Sequence, residues 1–171
     1  MNRILATCVA VAITLGASPS FAEANEDKSL DSLYERGQKE LAPNWRGLGK
    51  THASAVFVHQ DVRKADGGML AVWTHHELPA PGYVDKEKPY LSTRDRMLVD
   101  CKGVRTGTTD VAYYSERFGF GMVVGTERRK AELTDAVPDS IEELLVKAVC
   151  TSAKPAKVAR KTKSAEAPAK E

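Results

Sequence analysis

The sequence lacks the motifs by which several classes of enzyme are identified. It contains no G-x-S-x-G nucleophile elbow, no P-loop and no glycine fingerprint for a dinucleotide. It has only three cysteines, and none of them forms a C-x-x-C pair. Aromatic residues make up 6% of the chain, and ten of the eleven lie between residues 23 and 150, where a core can be built. These absences predict a protein that is not an enzyme and has no cofactor.

A large charge of either sign is absent too, since the formal net charge is +2. The charge is distributed unevenly, with +1 in residues 1–22, −3 in residues 23–150 and +4 in residues 151–171. The middle part has the size of one compact domain, which is typically about 100–150 residues. A folded basic surface for nucleic acid is therefore not expected.

The first 22 residues have the pattern of a signal peptide. Arg3 precedes an apolar run at 4–15, and small residues at 16–22 end in Ala22, after which cleavage is expected. The alternative, a retained membrane helix, needs about 20 predominantly apolar residues. The run here is shorter, and Gly16 and Pro19 come soon after its end. We therefore expect export to the periplasm or the cell surface, with no transmembrane span and no lipid-attachment cysteine at the cleavage site.

Removal of the signal peptide would leave two of the three cysteines, Cys101 and Cys150. An even pair in an exported protein is most simply a disulfide. A metal-binding pair and a redox pair are the alternatives, although neither cysteine has a histidine near it in sequence.

The pattern of residues 45–127 predicts antiparallel β-strands, with an amphipathic helix before them at 27–41. Asp66-Gly67 predicts a type I′ hairpin turn. The proline-rich segment 79–89 is expected to be an exposed loop, since proline cannot donate ladder hydrogen bonds. The predicted strands are 45–49, 52–60, 69–78, 90–101, 105–115 and 118–127.

A second helix is predicted at 135–150. Ser140 and Glu143 have the spacing of a capping box. An apolar stripe comes next, formed by Ile141, Leu144, Leu145, Ala148 and Val149. Cys150 would point away from Ile141 on an ideal helix, so the helix is expected to end or unwind there. The predicted fold class is α+β, a six-stranded antiparallel meander with the C-terminal helix on one face.

The four histidines, which all lie between residues 52 and 76, do not predict a metal site. His75 and His76 must point to opposite faces of a strand. Only His59 and His75 could meet across strands, and two ligands do not define a zinc site. The acidic residues at 135, 139, 142 and 143 are interpreted as charges that complement the N-terminus of the second helix.

Three segments of the sequence are informative when taken in order, namely YLSTRDRMLVDCKG, DVAYYSERFGFGMVVG and AVPDSIEELLVKAVC. Together they resemble the surface-adhesin protein E family of Gram-negative bacteria. The resemblance extends over residues 45–150, with a helical extension at 23–44 before it. It implies six antiparallel strands with a C-terminal helix and a disulfide between Cys101 and Cys150.

The resemblance also implies a non-enzymatic envelope binding module, for example one that adheres to host matrix or serum glycoproteins. The alternative is a periplasmic structural or accessory protein that docks an envelope partner. No binding segment of the family's named adhesin has a motif that can be transferred residue by residue to this sequence.

The C-terminal segment 151–171 is rich in Ala, Lys and Pro and is expected to be a disordered tail. Its positive charge could contact the cell wall or another anionic polymer. A short basic cluster near the end of the last strand could extend such a site. The candidate contacts are Lys154, Lys157, Arg160, Lys161, Lys163, Arg128, Arg129 and Lys130.

Overall fold

The computed structural model describes residues 28–152. The predicted signal peptide and all the tail lysines and arginines lie outside the described residues. Within 28–152, no helix is both long and apolar enough to span a membrane. Two helices and eight strands form in the order α1 (Leu30–Glu40), β1 (Trp45–Lys50), β2 (Ala55–His59), β3 (Arg63–Lys64), β4 (Leu70–Val84), β5 (Lys88–Asp100), β6 (Arg105–Tyr114), β7 (Val123–Arg128), β8 (Thr134–Asp135) and α2 (Ile141–Ser152).

Six strands form one antiparallel sheet in the spatial order β1-β2-β4-β5-β6-β7. The two-residue strands extend it, β3 beside β4 and β8 beside β6. Neighbours in this sheet are close in sequence, which is the meander that the alternating pattern predicts. The α+β class and the six-stranded arrangement are confirmed.

Helix α2 packs on one face of the sheet. Its buried side chains Leu145, Val146 and Val149 contact valines of β2, β4 and β5. The predicted stripe is therefore partly wrong, because Val146 is buried while Leu144 is 40% exposed. Leu144 and Val146 are both aliphatic, so the hydrophobic periodicity alone does not show which of the two faces the sheet.

The capping box at the start of α2 forms in a modified way. The Ser140 hydroxyl accepts a hydrogen bond from the Glu143 backbone N–H at 3.2 Å. The Glu143 carboxylate accepts one from the Asp139 N–H at 3.0 Å. The Ser140 N–H donates instead to the Val137 carbonyl. The first turn is thus capped, with the carboxylate one residue further back than the motif predicts.

Helix α1 packs on the opposite face, which the sequence did not predict. Ser29 caps its N-terminus, and Leu33 is fully buried against Phe57 of β2. Gly37 lies directly on the Phe57 ring, where a Cβ atom would overlap the ring carbon Cζ. The glycine that weakens the helix pattern is therefore the residue that permits close contact between helix and sheet.

Cys101, just after β5, and Cys150, near the end of α2, form a disulfide with an S–S distance of 1.98 Å. The predicted unwinding of the helix at Cys150 is wrong, since α2 continues to Ser152. The buried face of α2 is centred nearer Val146 than Ile141, which brings Cys150 to the flank of that face. Both cysteines pack against the α2 core, which we define as the buried cluster between this helix and the sheet.

The predicted proline-rich loop at 79–89 is largely a strand. Strand β4 continues to Val84, and β5 begins at Lys88. The pairing shifts register between Glu77 and Gly82, and both Pro79 and Pro81 lie inside that irregularity. Prolines are tolerated there because a bulge needs no ladder donor from them.

Two other predicted boundaries shift as well. The last long strand begins at Val123, because the chain turns at 117–119 to bury Phe118 under α1. In the β3–β4 hairpin the positive φ angles occur at Gly67 and Gly68. The Met69 N–H donates to the Asp66 carbonyl, so the turn is centred on Gly67-Gly68, one residue later than the predicted Asp66-Gly67 position.

Candidate functional site

Beyond α1, the same face of the sheet is open and carries aromatic and arginine side chains. The register pairs Trp73 of β4 with Arg96 of β5, and Arg96 with Asp110 of β6. Strand side chains alternate between faces, so paired residues project to the same side. We call this surface the Trp73 cleft and define it by Trp45, Trp73, Arg94, Arg96, Asp110 and Tyr114.

Trp73 lies at the centre of the cleft and is 38% exposed. Three adjoining hollows share it, with volumes of 450, 270 and 260 Å³. The first extends over β6 and β7, the second reaches Arg63, and the third lies against Trp45 and Tyr114. The first hollow alone has a volume within the range of small-molecule sites, which is about 300–1,000 Å³.

Arg94 lies between two aromatic rings. Its guanidinium carbon is 5.3 Å from the Trp45 ring centroid and 5.1 Å from that of Tyr114. One Nη atom donates to the Phe118 carbonyl at 3.5 Å. The buried Nε atom has no hydrogen-bond partner within residues 28–152. Cation–π contacts hold this arginine in place without neutralising its charge.

Asp110 places a carboxylate among the cleft arginines. Its Oδ1 atom accepts from Arg128 Nε at 3.0 Å, and its Oδ2 atom lies 3.8 Å from Arg96 Nη1. Hydrogen bonds from the Thr109 hydroxyl and from Arg128 lower the pKa of Asp110. Asp110 is therefore an anion at neutral pH and partly compensates the arginines.

The Arg128→Gln substitution is expected to raise the pKa of Asp110 toward its ordinary value of 3.8. Because the pKa of Asp110 is lowered in the folded protein, its ionised carboxylate stabilises the fold above the ordinary value of 3.8. This stabilisation is lost as the pH falls through the lowered pKa. The change is measurable by NMR titration of the Asp110 carboxyl carbon. Arg129→Gln is the matched control, because Arg129 pairs with Glu127 instead. An unchanged Asp110 pKa in Arg128→Gln would contradict the assigned pairing.

A buried polar cluster lies beside the cleft on the same face of the sheet, where His75 pairs with Arg94 across the strands. His75 and Glu77 are both fully buried, with His75 Nε2 2.6 Å from Glu77 Oε1. The same carboxylate oxygen accepts the Phe118 backbone N–H, and Arg117 lies 3.6 Å from the other oxygen. The cluster fixes the 117–119 turn, whose carbonyl at Phe118 contacts Arg94.

The structure separates the predicted basic cluster at 128–130. Arg128 binds Asp110 and lines the Trp73 cleft. Arg129 binds Glu127, which itself accepts from the Tyr113 hydroxyl on the opposite face. Lys130 follows the end of β7. A contribution of these residues to anion binding stays a prediction.

The histidines are distributed over both faces of the sheet. The Trp45 ring lies 4.8 Å from His59 and 5.6 Å from His75. His76 is on the other face, where burial lowers its pKa and the Ser54 hydroxyl lies 3.2 Å from its Nδ1 atom. Residues 28–152 contain no group of three or more side chains suited to hold a metal ion.

Sequence reasoning missed the Trp73 cleft. A weak signal was present, since Arg94 and Arg96 are two residues apart in a predicted strand and must share a face. Nothing in the sequence showed that Trp73, Asp110 and Tyr114 lie beside them. That arrangement results from the register between strands.

Comparisons with known proteins agree with this fold. The model of the family described as Surface-adhesin protein E matches residues 45–151. Crystal form II of Haemophilus influenzae protein E has a TM-score of 0.53 at 14% identity, over 63% of this chain and 87% of that one. A second structure of that protein has a TM-score of 0.52 at 13% identity, over 63% and 84%. These identities show a common fold. No curated protein is significantly similar to the chain in sequence.

Proposed function

Because the chain belongs to the surface-adhesin protein E family, we propose that it is an exported, non-enzymatic binding module. The Trp73 cleft is the surface that contacts its extracellular or envelope macromolecule. The observation that carries this proposal is the open sheet face on which Trp73, Arg94 and Arg96 lie together. Tryptophan and arginine are the residue types most enriched among those that dominate binding energy at protein interfaces.

The chemistry of the cleft suits binding better than catalysis. Its one central carboxylate, Asp110, is occupied by Arg128 and lies near Arg96. The His75–Glu77 pair would be the natural acid and base, yet both side chains are 0% exposed and therefore cannot reach a substrate. A general base must come within hydrogen-bonding distance of the group that it deprotonates.

Two features support export. Residues 1–22 have the pattern of a signal peptide, and disulfides such as Cys101–Cys150 form and persist in oxidising compartments. The family's description as a surface adhesin agrees with an envelope location. Detection of the C-terminal segment on intact and on permeabilised cells would separate surface display from a periplasmic location.

The substitution Trp73→Ala is expected to weaken binding of the mature protein to its glycoprotein or envelope partner by about tenfold or more, the loss typical of a central aromatic anchor. Surface plasmon resonance on immobilised matrix glycoproteins, serum glycoproteins and envelope fractions would measure this loss. Tyr83→Ala is the matched control, because Tyr83 is a 60% exposed aromatic residue on the same strand but outside the cleft.

Two results would contradict the proposal. One is no binding by the wild-type protein to any of these materials. The other is binding that Trp73→Ala leaves unchanged while Tyr83→Ala reduces it, since the partner would then contact the β4–β5 hairpin end rather than the cleft.

A further inference from the structure

The Trp73 cleft combines groups suited to an acidic sugar. We propose that it binds a saccharide that carries an isolated carboxylate, such as an acidic sugar at the end of a glycan chain. This inference rests on the proposed function, since it names the chemistry that the cleft recognises on its macromolecular partner.

Trp73 supplies the apolar surface. A tryptophan side chain offers a large, rigid contact area at low conformational cost. The C–H groups of a sugar ring can pack on it while the hydroxyl groups point to the rim. The three hollows around Trp73 are partly open to solvent, which leaves room for a ligand attached to a larger chain.

Arg94 and Arg96 supply the positive charge. They are two residues apart on β5 and project to the same face. Within residues 28–152 Arg94 makes no ion pair, and its Nε atom has no hydrogen-bond partner. The side chain of Arg96 is 48% exposed and only 3.8 Å from a carboxylate it shares with Arg128. A guanidinium fork matches the geometry of a carboxylate, so the excess charge favours an anionic ligand.

Asp110 and Asp61 limit how much negative charge the ligand carries. Asp110 lies among the arginines, and Asp61 pairs with Arg63 at the edge of the second hollow. Each carboxylate can accept hydrogen bonds from sugar hydroxyls. Each also repels a densely charged polyanion. The pattern of alternating charges therefore favours one carboxylate among neutral hydroxyls over a heavily sulfated chain.

The experiment is calorimetric titration of the mature protein with sialyllactose, with lactose and with a heparin oligosaccharide. We expect sialyllactose to bind, and lactose, which lacks the carboxylate, to bind about tenfold more weakly or not at all, as expected for loss of a charge-assisted hydrogen bond. Heparin binding that depends on Trp73 is expected to be no tighter than sialyllactose binding. Arg96→Gln is expected to reduce sialyllactose affinity by about tenfold on the same basis.

Four variants test whether the saccharide binds at the Trp73 cleft. Trp73→Ala removes the stacking surface and should lower sialyllactose affinity, whereas Arg129→Gln and Tyr83→Ala should not. Arg96→Gln changes a half-exposed side chain and so reports on the cleft even where Trp73→Ala does not fold. Equal affinities for sialyllactose and lactose, tighter binding of heparin that Trp73→Ala abolishes, or an Arg96→Gln protein with wild-type affinity would each overturn the inference.

Failure of this inference and failure of the proposed function give different results. If the partner binds in a Trp73-dependent way, and enzymatic removal of its acidic sugars leaves that binding unchanged, the proposed function stands and the acidic sugar is wrong. If no glycoprotein or envelope fraction binds at all, the proposed function itself is wrong.

Discussion

Replacement of Cys150 with Ser is expected to lower the free energy of unfolding by about 2–5 kcal/mol, the usual cost of losing a native disulfide. The bridge joins residues 49 positions apart, so without it the unfolded chain gains considerable conformational freedom. It also ties α2 to the end of β5, beside the buried Val99 and Val149. Urea denaturation of the oxidised wild-type and variant proteins would measure the difference.

The reduced wild-type protein provides an internal comparison. Cys101→Ser, Cys150→Ser, the double variant and the reduced wild type should all unfold at similar urea concentrations, because each lacks the same bridge. Ser152→Ala is the matched control on the same helix, since Ser152 is exposed and lies just after Cys150. A loss below about 1 kcal/mol in all four would show that α2 docks independently of the disulfide.

The backbone architecture follows closely from the sequence. Alternation places Met97, Val99 and Cys101 on one face of a strand, and all three contact the α2 core. The cysteine count indicates the Cys101–Cys150 bridge, and the resemblance to the family implies it directly. Features such as these can be predicted from the sequence because each is visible in the residue pattern itself.

The remaining features depend on contacts between distant segments. A proline pair predicts a loop unless a bulge removes the need for its ladder donors, as occurs at Pro79 and Pro81. The side on which α1 packs depends on Gly37 fitting the Phe57 ring. Neither contact leaves a periodic signal in its own segment.

The Trp73 cleft is the clearest case of this kind. Its residues come from β1, β4, β5 and β6, and the register that aligns Trp73 with Arg96 and Asp110 is set by hairpin lengths and bulges. One bulge lies between Arg96 and Met97 in the β5–β6 pairing. A shift of one residue there would move a strand's side chains to the other face. The site is therefore a property of the register rather than of any motif.

The buried Glu77 links the stability of the fold to this cleft. Its carboxylate accepts the Phe118 N–H and contacts His75 and Arg117. Ser92 holds the same turn by accepting from the Gly119 N–H at 3.0 Å. Phe118 has a φ angle of 58°, which is unusual for a residue with a side chain. The turn therefore depends on these hydrogen bonds to keep its conformation.

The Glu77→Ala substitution is expected to lower the free energy of unfolding by about 3–5 kcal/mol, because removing one member of a buried charged cluster leaves its partners unpaired. Arg117 would lose its carboxylate, and the Phe118 N–H would lose its acceptor. Hydrogen exchange at the Phe118 and Gly119 amides should accelerate, and chemical denaturation should report the global loss. Glu77→Gln keeps an acceptor oxygen and should lose less.

The same substitution distinguishes a local from a global role for Glu77. Arg94 donates to the Phe118 carbonyl, so a loosened turn should weaken ligand binding at the cleft under conditions where Glu77→Ala is still folded. Glu116→Ala is the matched control, since Glu116 is an exposed carboxylate beside the same turn. If Glu77→Ala is as stable as Glu116→Ala, the cluster does not hold the turn. If it is unstable but binds normally once folded, the turn does not position Arg94, and the cleft depends on Trp45 and Tyr114 alone to hold that arginine.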